Sequence, residues 1–205
     1  FAMKNNYHIE NIEAVKEITA MMVNGDKIGF YSEMEEMINY DNLAILESLE
    51  GTDPSIDGAI VVSSKRSLKI PYEKYCLLIP KNINIGIGCR KGVEGKRIIE
   101  LIEDTLDQLN LSVKGIKAIG TVEVKREEAG IIEACKYFNC PLKIFSLEEI
   151  KRVEDKFSKS QFVKETIGVY SVSEPSAYLL GGQLLANKIR RDGITLSIAK
   201  GVYKG

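Results

Sequence analysis

The sequence has few of the residues that build a metal site: among its 205 residues there is one histidine, His8, and four cysteines. The cysteines are widely scattered and form no C-x-x-C pair. Structural zinc sites use about four ligands, mostly Cys and His at short spacings. The sequence therefore predicts no metal site. The four cysteines are Cys76, Cys89, Cys135 and Cys140.

Long apolar runs are also missing. The longest, such as Cys76–Pro80 and Ser176–Leu180, are far shorter than the roughly 20 residues that a membrane span needs. The first residues, Phe1–Asn6, lack the basic and then apolar layout of a secretion signal. We therefore expect no membrane contact and a cytoplasmic location.

An excess of one charge is missing as well. Lysine and arginine number 28 against 29 aspartate and glutamate residues, which gives a formal net charge of -1. A protein that binds nucleic acid through a broad electrostatic surface carries a basic excess. The sequence therefore predicts no nucleic-acid partner, and any site for an anion must be local.

Helix and strand patterns alternate along the first 80 residues, which are predicted to form a small α/β domain with its boundary near Pro80. The predicted elements are a helix with Ile12, Val15, Ile18 and Met22 on one face that ends at Asn24-Gly25, a strand over Lys27–Tyr31, charged or helical material over Glu33–Leu49, and strands over Gly58–Ser63 and Cys76–Ile79. A basic, serine-rich loop, Ser63–Ser67, follows one of these strands. It could bind a carboxylate or phosphate, although a solvated connection is the more common role of such a loop.

Residues 81–205 are predicted to form a three-layer α/β/α domain with a mainly parallel or mixed sheet, because strands and helices alternate there. The first predicted strand is an apolar run that ends at Ile87. The other predicted strands are Ile116–Gly120, Leu142–Phe145 and Ile194–Ala199, with a further strand or extended segment at Thr166–Tyr170. The predicted helices are Val93–Leu109, Glu127–Phe138, a short helix capped by Ser146 and Glu149, and one that Ser173 caps and that ends at Asp192-Gly193. Ser158–Phe162 is predicted to be a polar loop.

One glycine-rich stretch, Asn84–Gly92, organises this second segment. An apolar run ends there and an amphipathic helical pattern follows, so the stretch is predicted to be a turn from a strand into a helix. Its three glycines permit positive φ angles and close approach of a ligand. Backbone N–H groups at a helix N-terminus bind anions, and Arg90 and Lys91 stand beside them. The turn is therefore predicted to hold an anion.

Charged residues in three loops are expected to line one crevice, because loops at the carboxyl ends of neighbouring parallel strands converge. The cations suit ligand carboxylates and the acids can transfer protons. Structural roles are also open: Glu123 can be a solvated residue, and Glu174 can complement a helix dipole. The candidates are Cys89, Arg90 and Lys91; Glu123, Lys125 and Arg126; and Glu174.

Two other interpretations of the glycine-rich stretch are weaker. Cys89 could be a nucleophile whose pKa is lowered by the helix N-terminus and Arg90, but no base accompanies it, and a small residue in a tight turn is the favoured role. Neither G-x-x-x-x-G-K-[ST] nor G-x-G-x-x-G is complete, because no Ser or Thr follows Lys91 and Lys91 holds the third glycine position. ATP or NAD is therefore not expected.

Several stretches resemble the CbiG family of cobalamin-biosynthesis proteins. Those that look like the C-terminal domain of CbiG, which also occurs alone as CobE, are Gly86–Gly92, Ala118–Lys125 with Glu128–Gly130, Val172–Ala177 and Gly193–Ala199. Two stretches, Glu13–Glu17 and Lys27–Glu33, resemble the central region of CbiG. The resemblance covers nearly the whole chain, and Gly86–Gly92 is its most specific part.

The resemblance implies an activity, the hydrolysis of cobalt-precorrin-5A in anaerobic corrin-ring synthesis, which opens the ring-A lactone and releases a two-carbon unit as acetaldehyde. It implies that Glu123 or Glu174 acts as general base towards water and that loop amides hold the oxyanion. It implies no metal or cofactor of the protein, since the cobalt belongs to the substrate. The residues expected to bind this substrate are Gly86, Gly88, Cys89, Arg90, Lys91, Gly92 and Lys125.

The expected partner is a cobalt-corrinoid intermediate, while other corrin-pathway enzymes and a second copy of the chain stay open as partners. Full CbiG proteins also have a domain before the central region, and nothing like it occurs in this sequence. Under the hydrolase hypothesis, this chain can therefore be a fragment whose activity needs that domain. Its alternatives are a non-catalytic corrinoid-binding or carrier module and, third, a nucleotide-phosphate-binding α/β domain.

Overall fold

Two separate mixed sheets, each of five strands, form the framework seen in the computed structural model, which describes residues 6–34 and 40–201. The chain divides into two compact units. Within the described residues, the first comprises 6–34, 40–81 and 110–115, and the second comprises 82–109 and 116–201. Both units combine helices with a sheet, so the predicted α/β class is confirmed. No helix in these residues is long and apolar enough to span a membrane.

The sheet of the first unit has the strand order β1-β5-β4-β2-β3. Its elements are β1 (Tyr7–Ile9), α1 (Ile12–Asn24), β2 (Ile28–Ser32), β3 (Leu43–Ile45), β4 (Gly58–Val62) and β5 (Tyr75–Pro80). Four strands are parallel, and β1 joins the β5 edge in the antiparallel direction. The predicted helix and three strands are confirmed. The stretch Glu33–Leu49 contains β3 in place of a helix, and its residues 35–39 lie outside the described residues.

Helix α1 begins and ends where its sequence signals indicate. The Asn11 side chain accepts hydrogen bonds from the first-turn N–H groups, and Gly25 closes the C-terminus with a φ of 92°. Ile18 and Met21 are buried in a cluster with Ile28 of β2. The apolar face at helical spacing thus packs the helix onto the sheet.

The serine-rich loop after β4 is buried structure of the first unit. Ser63 and Ser64 are fully buried. The Ser64 N–H donates to the Glu33 carboxylate at 3.3 Å, and the Ser64 carbonyl accepts from the Ser112 N–H at 2.8 Å. The favoured prediction of a solvated connection is therefore wrong at these two serines, because hydrogen bonds inside the unit satisfy their backbone.

The second unit has the strand order β8-β7-β6-β10-β9. Its elements are β6 (Ile83–Cys89), α2 (Gly95–Gln108), β7 (Ile116–Val122), α3 (Ala129–Tyr137), β8 (Leu142–Phe145), α4 (Leu147–Val153), α5 (Gln161–Ile167), α6 (Ser173–Leu180), β9 (Gln183–Arg191) and β10 (Ile194–Lys200). Strands β6, β7 and β8 are parallel, whereas β10 is antiparallel to both β6 and β9. The sheet is mixed, as predicted.

Helices lie on both faces of this sheet. The connections from β6 through α2 to β7 and from β7 through α3 to β8 run in the same direction along the sheet, so the general right-handed rule for such connections places α2 and α3 on one face. On the other face α6 packs against β6: the Asn84 side chain donates to the carbonyls of Leu180 and Gly181 at 3.2 and 2.7 Å, at the end of α6. The three-layer arrangement follows from this division.

The prediction of a helix as far as Asp192-Gly193 is wrong. Helix α6 ends at Leu180, followed by Gly181 and Gly182 at φ angles of 104° and 105°, and Gln183–Arg191 form strand β9. Asp192-Gly193, interpreted as a helix stop, is the two-residue turn of the β9–β10 hairpin, a role for which Asp-Gly is well suited because both residues have positive φ.

Two smaller predictions before α6 are also wrong. Helix α5 includes the end of the predicted polar loop, Gln161 and Phe162, and the start of the predicted extended segment, Thr166 and Ile167, and Gly168 ends it with a φ of 92°. Ser173 is the first residue of α6 and does not cap it; its hydroxyl accepts a hydrogen bond from Ser197 of β10 at 3.0 Å. The capping box of Ser146 and Glu149 at α4 is confirmed.

Candidate functional site

A groove with a volume of about 660 Å³ lies in the second unit where α6 stops covering the sheet. Gly88, Thr195 and Arg190 pair in register across β6, β10 and β9, and all three line this groove. The neighbouring row, Gly86 and Ser197, is covered by the first turn of α6. The groove is therefore an uncovered part of the same sheet face, and α5 forms its other wall.

The groove combines a cationic wall with an apolar one. Phe162, Val163, Ile167 and Val172 contribute the apolar surface, and Asp192 is the acidic residue among the described lining residues. In a chain with a net charge of -1, this concentration of positive charge is a local field that attracts anions. The six cationic lining residues are Arg90, Lys91, Lys125, Lys188, Arg190 and Arg191.

The hairpin turn of β9 and β10 positions Arg90. The Arg90 N–H donates to the Gly193 carbonyl at 2.9 Å. A Cβ at Gly193 would lie 2.9 Å from Cδ of Arg90, so the side chain packs on this glycine. The charged groups of Arg90 and Lys91 are exposed and make no hydrogen bond or ion pair with the part of the chain that the structure describes. Both cations are available to a ligand.

Two amides of the loop after β6, those of Arg90 and Gly92, are already bonded within the protein. Gly92 has a φ of 76°, and its N–H donates to Glu128 at 3.0 Å. The other Glu128 oxygen pairs with Lys125 Nζ at 3.0 Å. Burial alone would raise the pKa of Glu128, but the bonds from Gly92 and Lys125 and the charges of Lys125 and Lys91 outweigh burial and lower that pKa. An anion would therefore meet side chains here, and not the N–H groups of Arg90 and Gly92.

Gly86 and Gly88 lie inside strand β6, so their predicted placement in a turn with positive φ is wrong. A Cβ at Gly86 would collide with the Ser173 carbonyl oxygen and lie 2.6 Å from the Ala177 nitrogen. A Cβ at Gly88 would lie 2.7 Å from the Thr195 hydroxyl. The first glycine admits the α6 backbone, and the second leaves space in the groove.

The weaker alternative for Cys89, a nucleophile with a lowered pKa, is not supported. Burial, and next the charge of Glu128, raise the pKa of the Cys89 thiol to about 11, with a smaller opposing effect from Lys125. The N-terminus of α2, expected to lower it, packs against α3: a Cβ at Gly130 would collide with the Val93 carbonyl. Cys89 lines the groove as a neutral thiol.

The two candidate bases lie outside the lining of the groove. Glu123 accepts the N–H of Leu147 at 3.0 Å, at the start of α4. Glu174 is only 4% exposed and accepts hydrogen bonds from Ser158 at 2.8 Å and Ser171 at 3.4 Å. Of the sequence candidates, the lining includes Gly88, Cys89, Arg90, Lys91 and Lys125, and it does not include Gly86, Gly92, Glu123, Arg126 or Glu174.

Sequence reasoning missed the contribution of β9. Lys188 and Arg190 line the groove, and Arg191 lines it while pairing with Asp104 at 2.7 Å. Assignment of this segment to a helix hid them. The Asp-Gly pair before an alternating strand was the available signal, because it predicts a hairpin that places β9 beside β10. Within residues 6–34 and 40–201, no group of three or more His, Cys, Asp or Glu side chains could hold a metal ion.

Two family models match the chain. The model described as cobalamin synthesis G C-terminus matches residues 83–199, and the model described as cobalamin biosynthesis central region matches residues 1–80. The first match covers more than half of the chain and includes every residue that lines the groove.

Named relatives and one solved structure are similar to the chain. A cobalt-precorrin-5A hydrolase of Salmonella typhimurium is 32% identical over 193 residues, which are 90% of this chain and 54% of that protein. A probable cobalt-precorrin-5A hydrolase of Methanocaldococcus jannaschii is 36% identical over 151 residues, 64% of this chain and 47% of that protein. The chain thus spans about half the length of these relatives. The crystal structure of CobE, a protein from the cobalamin biosynthetic pathway, covers 62% of this chain and 95% of CobE with a TM-score of 0.56 and 24% identity, which shows a shared fold.

Proposed function

Since the chain belongs to the CbiG family of cobalamin-biosynthesis proteins, we propose that its groove binds a cobalt-corrin intermediate and that the chain takes part in the hydrolysis of cobalt-precorrin-5A. Relatives at 30–36% identity carry that name and support this choice of substrate. The chain spans only 54% of the Salmonella protein, so the activity of that longer protein is a proposal for this chain.

The observation that carries the proposal is the two-sided character of the groove. A corrin macrocycle has an apolar ring and a periphery of acetate and propionate groups. The apolar wall around Phe162 and Ile167 suits the ring, and the cations on the opposite wall suit the carboxylates. A volume of about 660 Å³ lies within the usual range for sites of large organic ligands, about 300–1,000 Å³.

Lactone hydrolysis needs a group that takes a proton from water and a positive charge near the carbonyl oxygen. Among the described residues that line the groove, the one acid is Asp192. We therefore place the general base there, and not at Glu123 or Glu174. Arg90 lines the same groove beside the hairpin turn and supplies the positive charge. Water oxygen then bonds to the carbonyl carbon, Asp192 takes a proton, and the acyl carbon–oxygen bond breaks as the former lactone oxygen gains a proton. The two-carbon unit that carries the new hydroxyl leaves as acetaldehyde when its carbon–carbon bond to the macrocycle breaks, and the hydroxyl proton is lost as the macrocycle carbon gains one.

The test is to supply cobalt-precorrin-5A anaerobically and to measure acetaldehyde. Asp192→Asn should lower the rate by about 10²-fold or more while corrinoid binding persists. Asparagine keeps the turn, since it also tolerates the φ of 50° at this position. Glu123→Gln is the matched control and should keep the rate. A larger loss in Glu123→Gln or Glu174→Gln would move the base to that residue.

A non-catalytic corrinoid-binding or carrier module is the second candidate. One observation favours it: both glutamates implied as bases hydrogen-bond within the protein and lie outside the groove lining. In the same assay, this candidate predicts that the chain binds the corrinoid and releases no acetaldehyde. Release by the wild-type chain at a rate above that of the buffer would exclude the module.

A further inference from the structure

Lys188 occupies an irregular place in the hairpin that borders the groove. Leu196 of β10 pairs with Ile189, but Ile198 pairs with Ala186, so two steps along β10 correspond to three along β9. The extra residue is a β-bulge at positions 187–188, opposite Ser197. Bulges redirect side chains and are common beside active sites. Here the bulge accompanies a lysine that lines the groove.

The amino group of Lys188 is buried and has no hydrogen-bond partner within the described residues. Burial, the largest influence, lowers the pKa of Lys188; the nearby charge of Glu174 opposes this effect, and Arg190 adds to it. Glu174 does not bond to it, because its contacts are the hydroxyls of Ser158 and Ser171. A buried amine without an acceptor is costly, and an anionic ligand in the groove would remove that cost.

We propose that Lys188 is the innermost anion anchor of the groove, that its ammonium binds one ligand carboxylate, and that it thereby selects ligands with a free carboxylic acid over their amides. This inference rests on the proposed function, because it presumes that a corrinoid enters the groove. It adds the residue that determines specificity. An amide offers a weaker acceptor and no charge, so it would leave the buried ammonium uncompensated.

Two substitutions of Lys188, one that removes its positive charge and one that keeps it, distinguish an anion anchor from other roles. Lys188→Gln removes the ammonium, whereas Lys188→Arg keeps a cation that cannot act as a base at neutral pH. Lys143→Gln is the matched control, because Lys143 is exposed on β8 and does not line the groove. Thermal unfolding reports on folding: Lys188→Gln should melt no lower than the wild type, since it removes a buried charge that has no partner.

The probes are cobyrinic acid, a cobalt corrin with free carboxylic acids, and cobinamide, an amidated counterpart, each titrated by calorimetry into the full chain. The wild type should bind the acid at least about tenfold more tightly than the amide. Lys188→Gln should remove most of that preference, by weakening acid binding about tenfold and changing amide binding little. Lys188→Arg should retain the preference, and Lys143→Gln should match the wild type.

Each other outcome has a distinct meaning. If the wild type binds neither probe, the proposed function fails and the anchor fails with it. If it binds cobyrinic acid and Lys188→Gln keeps the full preference, only the anchor is overturned. If Lys188→Gln and Lys188→Arg both bind normally but release no acetaldehyde from cobalt-precorrin-5A, Lys188 is a base and not an anchor. A lower melting temperature in both variants would make Lys188 structural and overturn the proposal as well.

Discussion

Gly86 and Gly88 face the same side of one strand and have opposite environments. The backbone of α6 covers Gly86, whereas Gly88 lies in the groove beside Thr195 and Val172. Both glycines exist because something must approach the strand closely, but a helix fills the first space and the second is open. The comparison teaches that a glycine-rich strand signals close approach without specifying whether protein or ligand approaches.

Substitution of Gly86 is expected to destabilise the protein more than any other change considered for this strand. Gly86→Ala should lower the free energy of unfolding by about 3 kcal/mol, because the new methyl group would meet the backbone of Ser173 and Ala177, which cannot move alone. Gly88→Ala is the matched control and should cost about 1 kcal/mol, since it meets movable side chains. Denaturant titration measures both. Equal losses in the free energy of unfolding would mean that the α6 backbone restricts position 86 no more than movable side chains restrict position 88.

A second prediction concerns ligand binding in the groove, where α6 leaves the sheet uncovered around Gly88. Arg90→Ala should weaken binding of cobyrinic acid by about 1.5–3 kcal/mol, the range for hydrogen bonds to charged groups, and should leave stability nearly unchanged. Arg90 is exposed and packs only its stem on Gly193. Calorimetry with Lys143→Gln as control measures the change. A destabilised variant with wild-type affinity would show that Arg90 supports the hairpin and does not contact the ligand.

A third prediction tests whether the loop beside the groove is held by Glu128. Glu128→Gln should cost about 1 kcal/mol at neutral pH, because it weakens the bonds to Gly92 and Lys125. The folded pKa of Glu128 is below its ordinary value of 4.5, so this stabilisation is present above that pH and is lost as pH falls through the folded pKa. The difference between variant and wild type should therefore shrink below pH 4.5. A difference that stays constant down to acid pH would contradict this role.

The smallest effect is expected at Cys89. With a pKa near 11, the thiol has about two orders of magnitude less thiolate at neutral pH than an ordinary cysteine, so iodoacetamide should modify it slowly and about tenfold faster per pH unit up to that pKa. Mass spectrometry of the labelled peptide measures the rate. Cys89→Ser should change corrinoid affinity by less than about 0.5 kcal/mol. Rapid labelling at pH 7 would show that the thiol is activated.

Local signals predicted the elements whose structure depends on neighbouring residues. The end of α1 was predicted because Gly25 acts within one turn of the helix. The capping box at Ser146 was predictable for the same reason. Strand β9 was predicted as a helix, since its residues also suit a helix and the Asp192-Gly193 pair that signals pairing with β10 was interpreted as a helix stop.

The candidate site was predicted in part. Arg90, Lys91 and Lys125 could be placed in one groove because parallel strands end at a common edge. Glu123 and Glu174 could not be excluded from it, because their hydrogen-bond partners, Leu147 and Ser158, come from other segments. Lys188 was hidden by the assignment of its segment to a helix.

The α/β class, most element boundaries and the family resemblance follow from the amino-acid sequence alone, since these depend on periodicity, turn residues and short motifs. Three features depend on packing between distant segments: Gly86 admits helix α6, the amides of Gly92 and Arg90 bond to Glu128 and Gly193, and Lys188 lines the groove with no hydrogen-bond partner among the described residues. Whether a residue is available to a ligand depends on what else packs against it, and such contacts join residues 16 to 107 positions apart in the chain.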